Sequence, residues 1–229
     1  MKKVLLSLAI TALSTSAYAY QFEAGVNHAK NDDADATGAF FNYHFADVDT
    51  SKGPLNEANF LSKSSYVGVS YVDHDYSDTV TGQGRFVFGN DWTLGVAVSD
   101  IDTDFGGATA YAAAIGKYVN DHSEVFLGYS DTDVEDSEEA ITLGFKSVLE
   151  KFGYTIAATT VDGEYALNAE GMYYFNRSFG LGAGVVYDSV SEDTNAAAML
   201  SYFFTPGVEL EVSYADQSET IAAGVNFRF

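Results

Sequence analysis

Apolar residues and small or polar residues alternate along most of the chain. Trp92, Leu94, Val96 and Val98 take one phase, and Thr93, Gly95 and Ala97 take the other. A period of two puts successive side chains on opposite faces of a strand. The same alternation recurs at Tyr20–Val26, Phe41–Phe45, Val67–Tyr71, Phe86–Phe88, Val125–Tyr129, Ile141–Phe145 and Phe152–Ala158. It continues at Tyr165–Phe175, Phe179–Tyr187, Leu200–Phe204, Val208–Tyr214 and Ile221–Phe229. An alanine run blurs it at Tyr111–Ile115. The pattern predicts an all-β chain of about 14 strands, with 12 as the alternative.

Alternation alone suits a soluble sandwich as well as a membrane barrel. Three features favour an antiparallel up-and-down transmembrane barrel. Aromatic residues cluster near strand ends, as interfacial girdles do. The strands are about ten residues long, the length a tilted span needs. Connections alternate between short and long. The short set is Gly89–Asp91, Asn120–Asp121, Leu149–Glu150, Asn176–Arg177 and Thr205–Gly207, rich in turn residues. The long set is Ala29–Thr37, Val72–Gly82, Ser99–Gly107, Ser130–Glu139, Thr160–Glu164, Asp188–Thr194 and Ala215–Glu219. These seven stretches hold 22 of the 33 acidic residues and one basic residue, Lys30. They are expected to face outward as acidic loops. Asp47–Ser64 breaks the rule, being long where a short periplasmic turn is expected.

Both ends of the chain point to export. Lys2 and Lys3 precede an apolar run, Val4–Leu13, and Ala17-Tyr18-Ala19 forms a small-x-small cleavage site. The expected organisation is a signal peptide over 1–19 and a barrel over 20–229. The apolar run is too short to span a bilayer as a helix. At the other end, Phe227 and Phe229 close a period-two strand. That ending resembles the C-terminal signal read by the barrel-assembly machinery.

Charge and composition narrow the chemistry. Without Lys2 and Lys3 the net charge of −22 becomes −24, so nucleic acid is not an expected partner. The absence of cysteine removes disulfides and thiolate chemistry and suits an oxidising compartment. Two prolines in 229 residues suit long, unbroken ladders. Asp100, Asp102 and Asp104 alternate as in calcium loops, but Gly106 is one place late and Tyr111 stands where a bidentate Glu belongs. They count only as weak surface cation candidates. Asp73-His74-Asp75 could serve as an acid–base pair, yet His28, His44 and His122 are scattered. Gly180-Leu181-Gly182-Ala183-Gly184 alternates as strand and is not followed by a helix, so it is no phosphate loop. No catalytic set and no cofactor are expected.

The exceptional segment reads Val48-Asp49-Thr50-Ser51-Lys52-Gly53-Pro54-Leu55-Asn56-Glu57-Ala58-Asn59-Phe60-Leu61. It resembles the Gly-Pro-Leu-x-Glu-Ala-x-Phe-Leu stretch after the second strand in a family of general porins of gamma-proteobacteria, which are small outer-membrane barrels. The Tyr20-Gln21 opening and the terminal Phe229 are similar too. The resemblance implies an outer-membrane diffusion channel and carries over no functional residue.

Strand spacing of about 4.8 Å and a tilt of about 40° give a backbone radius near 14 Å for 14 strands, or about 12 Å for 12. The inward phase is mostly Gly, Ala, Ser, Thr and Asn, too small to fill that space. A water-filled lumen is expected unless Asp47–Ser64 folds into it; a blocked lumen would sink the reading as a passive channel. Arg85, Lys146, Asn168, Glu170, Glu209 and Glu211 are the expected pore-lining residues. The leading expectation is a channel for small hydrophilic solutes with weak cation preference, because acidic mouths concentrate cations. The alternative is a non-conducting structural or adhesive barrel. Outer-membrane lipid, lipopolysaccharide, the assembly machinery and small solutes are the expected partners, with a monomer favoured.

Overall fold

The computed structural model describes residues 19–229 apart from 33, 104, 105, 135, 136 and 138. The expected signal peptide and Asp104 therefore lie outside the described residues, except that Ala19 opens the first strand. The strands are β1 (Ala19–Lys30), β2 (Asp35–Asp49), β3 (Tyr66–His74), β4 (Ser77–Val87), β5 (Trp92–Thr103), β6 (Gly106–Asn120) and β7 (Ser123–Thr132). They continue with β8 (Ala140–Leu149), β9 (Phe152–Val161), β10 (Glu164–Asn176), β11 (Phe179–Asp188), β12 (Asp193–Thr205), β13 (Val208–Ala215) and β14 (Thr220–Arg228). Each pairs antiparallel with its sequence neighbours, and β1 pairs with β14, so the sheet closes as a 14-stranded up-and-down barrel. Closure satisfies every edge, which is what a sheet crossing lipid requires.

The alternation sorts cleanly onto two faces. Val26, Val69, Val96, Leu127, Leu143 and Ile156 stand exposed on the outside. At the rim carrying both chain ends, rings meet edge-on or stacked, as Phe22 with Phe229, Phe45 with Phe86, and Tyr202 with Phe204. Four strand pairs shift register at this rim, beside Tyr20, Tyr118, Tyr174 and Phe203. Bulges are common at barrel rims, where they re-aim side chains. All four of these aromatics are buried inside.

The expected outer loops are largely strand. His74 and Ser77 pair across a two-residue turn, as do Val161 and Glu164, and Asp188 pairs with Asp193 across four residues. The ladder continues past the apolar belt as polar ribbon, for example Asp78 opposite Asp102. Water bathes both faces there, so the apolar alternation fades while the backbone hydrogen bonds persist. The buried residues gather at the opposite end, around the segment that follows β2.

Candidate functional site

The segment between β2 and β3 folds back into the barrel and forms a floor across its lumen. It begins with a 3-10 turn, Thr50–Lys52, started by the Asp49 side chain, which accepts from the Ser51 N–H at 2.8 Å. Pro54 then sets an extended-to-turn step into a second 3-10 turn, Leu55–Glu57, and a single helical turn α1, Ala58–Leu61. Gly53 leaves room for the Leu61 side chain: a Cβ there would sit 2.6 Å from Leu61 Cδ1. Lys63 takes a left-handed conformation, φ 52°, and turns the chain into β3. Ser62 Oγ donates to the Asp49 carbonyl at 3.0 Å and ties the two ends of the segment together.

Its contacts reach strands right round the barrel, so it crosses the lumen rather than lining one wall. Tyr118 on β6 donates to the Phe60 carbonyl at 2.9 Å, with the two rings 5.1 Å apart. On β8 and β10, Lys146 Nζ lies 2.9 Å from one Glu57 oxygen and the Tyr174 hydroxyl donates to the other at 2.9 Å. On β13, Glu209 accepts from Asn56 at 3.3 Å; on β14, Arg228 donates to the Leu55 carbonyl at 2.9 Å. Phe60 and Leu61 pack with Tyr118 and Val148, and Ala58 packs with Tyr20 and Val48.

The rim turns hold the floor from below. Arg177 donates to the Gly53 carbonyl at 3.1 Å and also to the Thr50 carbonyl. Lys63 reaches Asp91 at 2.8 Å and Asp121 at 3.1 Å. The hydrogen bond to Asp91 raises the Lys63 ammonium above its ordinary range, and the bond from Lys63 depresses the Asp121 carboxyl.

The expected pore-lining residues fall into two groups. Arg85, Lys146 and Glu209 belong to the floor and its supports. Arg85 pairs with Glu124 at 2.6 Å, and Glu124 also accepts from Thr93 at 2.5 Å. Glu209, 1 % exposed, accepts from Arg228 at 3.2 Å and from Ser201 at 2.7 Å. Arg228 also binds Glu23 at 2.7 Å. By contrast, Asn168 and Glu170 share the inner face of β10 above Tyr174, and Glu211 accepts from Asn226 at 3.1 Å. Among the described residues no Lys or Arg pairs with Glu170 or Glu211.

Alternation did not single out Glu23, Glu57, Tyr118, Glu124, Tyr174 or Arg228. A usable signal was present: Glu23, Glu124 and Arg228 are charged residues in the inward phase close to the end-bearing rim.

Above the floor the lumen keeps space. A hollow of about 400 Å³ is bounded by Asn59, Phe60, Tyr66, Arg85, Phe126 and Lys146. Inward glycines let neighbouring side chains lie along the wall. A Cβ on Gly144 would meet the Phe126 ring at 2.1 Å, and one on Gly25 would meet Asn226 Oδ1 at 2.3 Å. Asp73, His74, Asp75, Asp78 and Asp102 border a small polar hollow at the far rim. Asp100 and Asp102 are β5 strand residues, and no group of three or more ligating side chains arranged for a metal occurs among the described residues. His28 and His74 stand toward that rim, while His44 and His122 lie at the opposite one, so the histidines do not converge.

No family model matches the sequence, and no curated protein matches it. Solved structures do share the fold. The outer membrane protein Omp33 of Acinetobacter baumannii is 23% identical, with a TM-score of 0.73 over 93% of this chain and 99% of that one. The KdgM porin is 12% identical, with a TM-score of 0.52 over 90% and 99%. A double mutant of the Rh. blastica porin is 10% identical, with a TM-score of 0.51 over 92% and 99%. The chain therefore has the barrel fold of outer-membrane porins.

Proposed function

We propose that the protein is a porin-like outer-membrane channel for passive diffusion of small hydrophilic solutes, with the floor at 50–64 as its closed gate. The observation that carries this is the way the floor is attached. Much of its hold is ion pairs and hydrogen bonds, Glu57 to Lys146 and Tyr174, Lys63 to Asp91 and Asp121, and Arg177 to backbone carbonyls. Water can replace the contacts at the exposed rim, Lys63 with Asp91 and Asp121, so their net worth is small, whereas Glu57 is buried and holds only while both of its wall partners stay in place. Above them lies the hollow of about 400 Å³. Two of the solved structures with this fold are named porins, and the gate is the stretch that resembles the gamma-proteobacterial general porins. Gly53, Leu55, Glu57, Ala58, Phe60 and Leu61 of that stretch all make close contacts within the floor or against the wall.

Weak cation preference follows from the charge balance. Glu124 neutralises Arg85, and Lys146, which loses Glu57 when the gate opens, is outnumbered by Glu170 and Glu211, which have no cationic partner among the described residues. The acidic far rim adds to the effect. Phe229 exchanges backbone hydrogen bonds with Phe22 and completes closure, in keeping with a C-terminal assembly signal. A second reading, a non-conducting barrel that stabilises the membrane or displays its acidic rim, draws on the floor itself, which crosses the lumen.

The two separate in a planar bilayer under a salt gradient. The full chain is compared with a variant whose residues 51–63 are replaced by a Gly/Ser link of equal length, each first shown to be folded by heat-modifiability. Frequent cation-favouring steps in the variant and rare ones in the parent support the gated channel. Silence from both folded proteins supports the structural barrel.

A further inference from the structure

We propose that Lys146 and Tyr174 form a carboxylate-binding subsite in the lumen wall, which Glu57 occupies while the gate is closed and a small organic carboxylate can take over. The inference rests on the gated-channel reading. Its basis is that the two partners of Glu57 belong to the wall, whereas Glu57 belongs to the displaceable segment. Lys146 approaches one carboxylate oxygen and Tyr174 donates to the other, both at 2.9 Å. Two donors on the two oxygens of one carboxylate make a charge-assisted, geometrically selective pair.

The wall is recessed to receive it. Gly153 lies beneath the carboxylate, and a Cβ there would stand 2.7 Å from Glu57 Oε1. Any other residue at 153 would fill the seat. The subsite is also reachable. Lys146 keeps 32% of its side chain exposed and borders the 400 Å³ hollow. Of the rings that line this hollow, Phe126 on β7 and Tyr66 on β3 belong to the wall and stay when the gate segment leaves. That surrounding selects a carboxylate with a flat apolar body.

Two costs bear on such a ligand. Glu57 is tethered, so it competes at a high effective concentration, of order millimolar or above. The acidic rim repels anions, but Lys146 lies six residues from the outer end of β8, about 20 Å along the strand. At physiological salt the screening length is about 8 Å, so the rim field has decayed at the subsite.

Benzoate is the probe, with benzamide as its uncharged control. Equilibrium dialysis of radiolabelled benzoate against the refolded chain reads binding without requiring conduction. Glu57→Ala removes the competitor and should bind benzoate about tenfold more tightly than the parent, since one charge-assisted contact is released to the ligand. Glu57→Ala with Lys146→Met should lose that gain, and benzamide should show no such order. In the bilayer, benzoate at constant ionic strength should raise the parent's open probability. Equal retention by Glu57→Ala and Glu57→Ala/Lys146→Met, both heat-modifiable, overturns the subsite. A silent Gly/Ser-gate variant alongside the expected binding order rejects the channel and leaves the subsite standing. A conducting Gly/Ser-gate variant with no benzoate response in the parent rejects the ligand's takeover from Glu57.

Discussion

Arg228 and Glu23 face each other across the seam where the last strand meets the first, and their side chains pair at 2.7 Å inside the barrel. The same guanidinium holds Glu209 and the Leu55 carbonyl, so it joins seam, wall and gate. Its planar fork of donors suits three acceptors in one plane better than a lysine would. Arg228→Met leaves two carboxylates buried together without a cation. The expected loss is about 3–5 kcal/mol, the usual cost of breaking a buried pair from one side. Urea unfolding in vesicles reads it. Adding Glu23→Gln should recover part of the loss, and a double variant no better than the single one would count against this account.

Phe126 and Gly144 make a second testable pair. The ring lies over the glycine, and a Cβ at 144 would overlap it at 2.1 Å. Gly144→Ala forces the ring off the wall toward the hollow it borders. Overpacking of this kind costs about 1–3 kcal/mol. Phe126→Ala should then relieve Gly144→Ala, with a coupling of about 0.5–3 kcal/mol between neighbours. Strictly additive effects would show that the two residues do not press on each other.

These pairs show what alternation can and cannot reveal. Trp92, Leu94, Val96 and Val98 announce a strand with one apolar outward side, and fourteen such segments closed as expected. The outer ends were hidden because Asp73, Asp78 and Asp102 pair as strand in water, where neither face need be apolar. The gate was legible as an anomaly, a long connection at Asp47–Ser64 where a turn was due. Its fold was not, because a few turns of 3-10 and α-helix leave little periodicity. Its docking partners lie far away in sequence: Glu57 meets Tyr174, and Leu55 meets Arg228. A single chain read along its length does not show such pairs. Inward charge near the end-bearing rim was the available hint.

Acidification should loosen the Lys63 clamp of the gate only below the carboxylate range. Asp121 has a depressed pKa through its bond from Lys63, so its contribution is present above the ordinary carboxylate value, about 4. It fades as pH falls through the depressed value. Lys63 is shifted the other way, upward, by Asp91 and Asp121. Its contribution is complete below its ordinary value, about 10.4, and is lost as pH rises through the elevated one. The share of gate protection due to the Lys63 clamp, read as the difference in protease resistance of residues 50–64 between the parent and Lys63→Gln, should therefore be flat from about pH 5 to 9. Lys63→Gln should lower protection across that window and flatten its acid edge. An unchanged edge in Lys63→Gln would remove the clamp from the explanation.

The last prediction concerns which face meets lipid. Leu143 stands 58% exposed on the outside of β8, between Leu127 and Ala158 on the flanking strands. Its neighbour Thr142 faces the lumen, where its hydroxyl meets Thr159 at 2.9 Å. If the apolar outer face is the membrane face, Leu143→Arg places a guanidinium among acyl chains. The cost near the bilayer centre is about 2–4 kcal/mol. Thr142→Arg puts the same charge into the lumen and loses only a neutral hydrogen bond, about 1 kcal/mol. Folding yields into vesicles should thus fall steeply for the first variant and little for the second. The reverse order would mean that the apolar face is covered by protein instead of lipid. The one-residue offset makes the comparison sharp, because both variants share strand, depth and added charge.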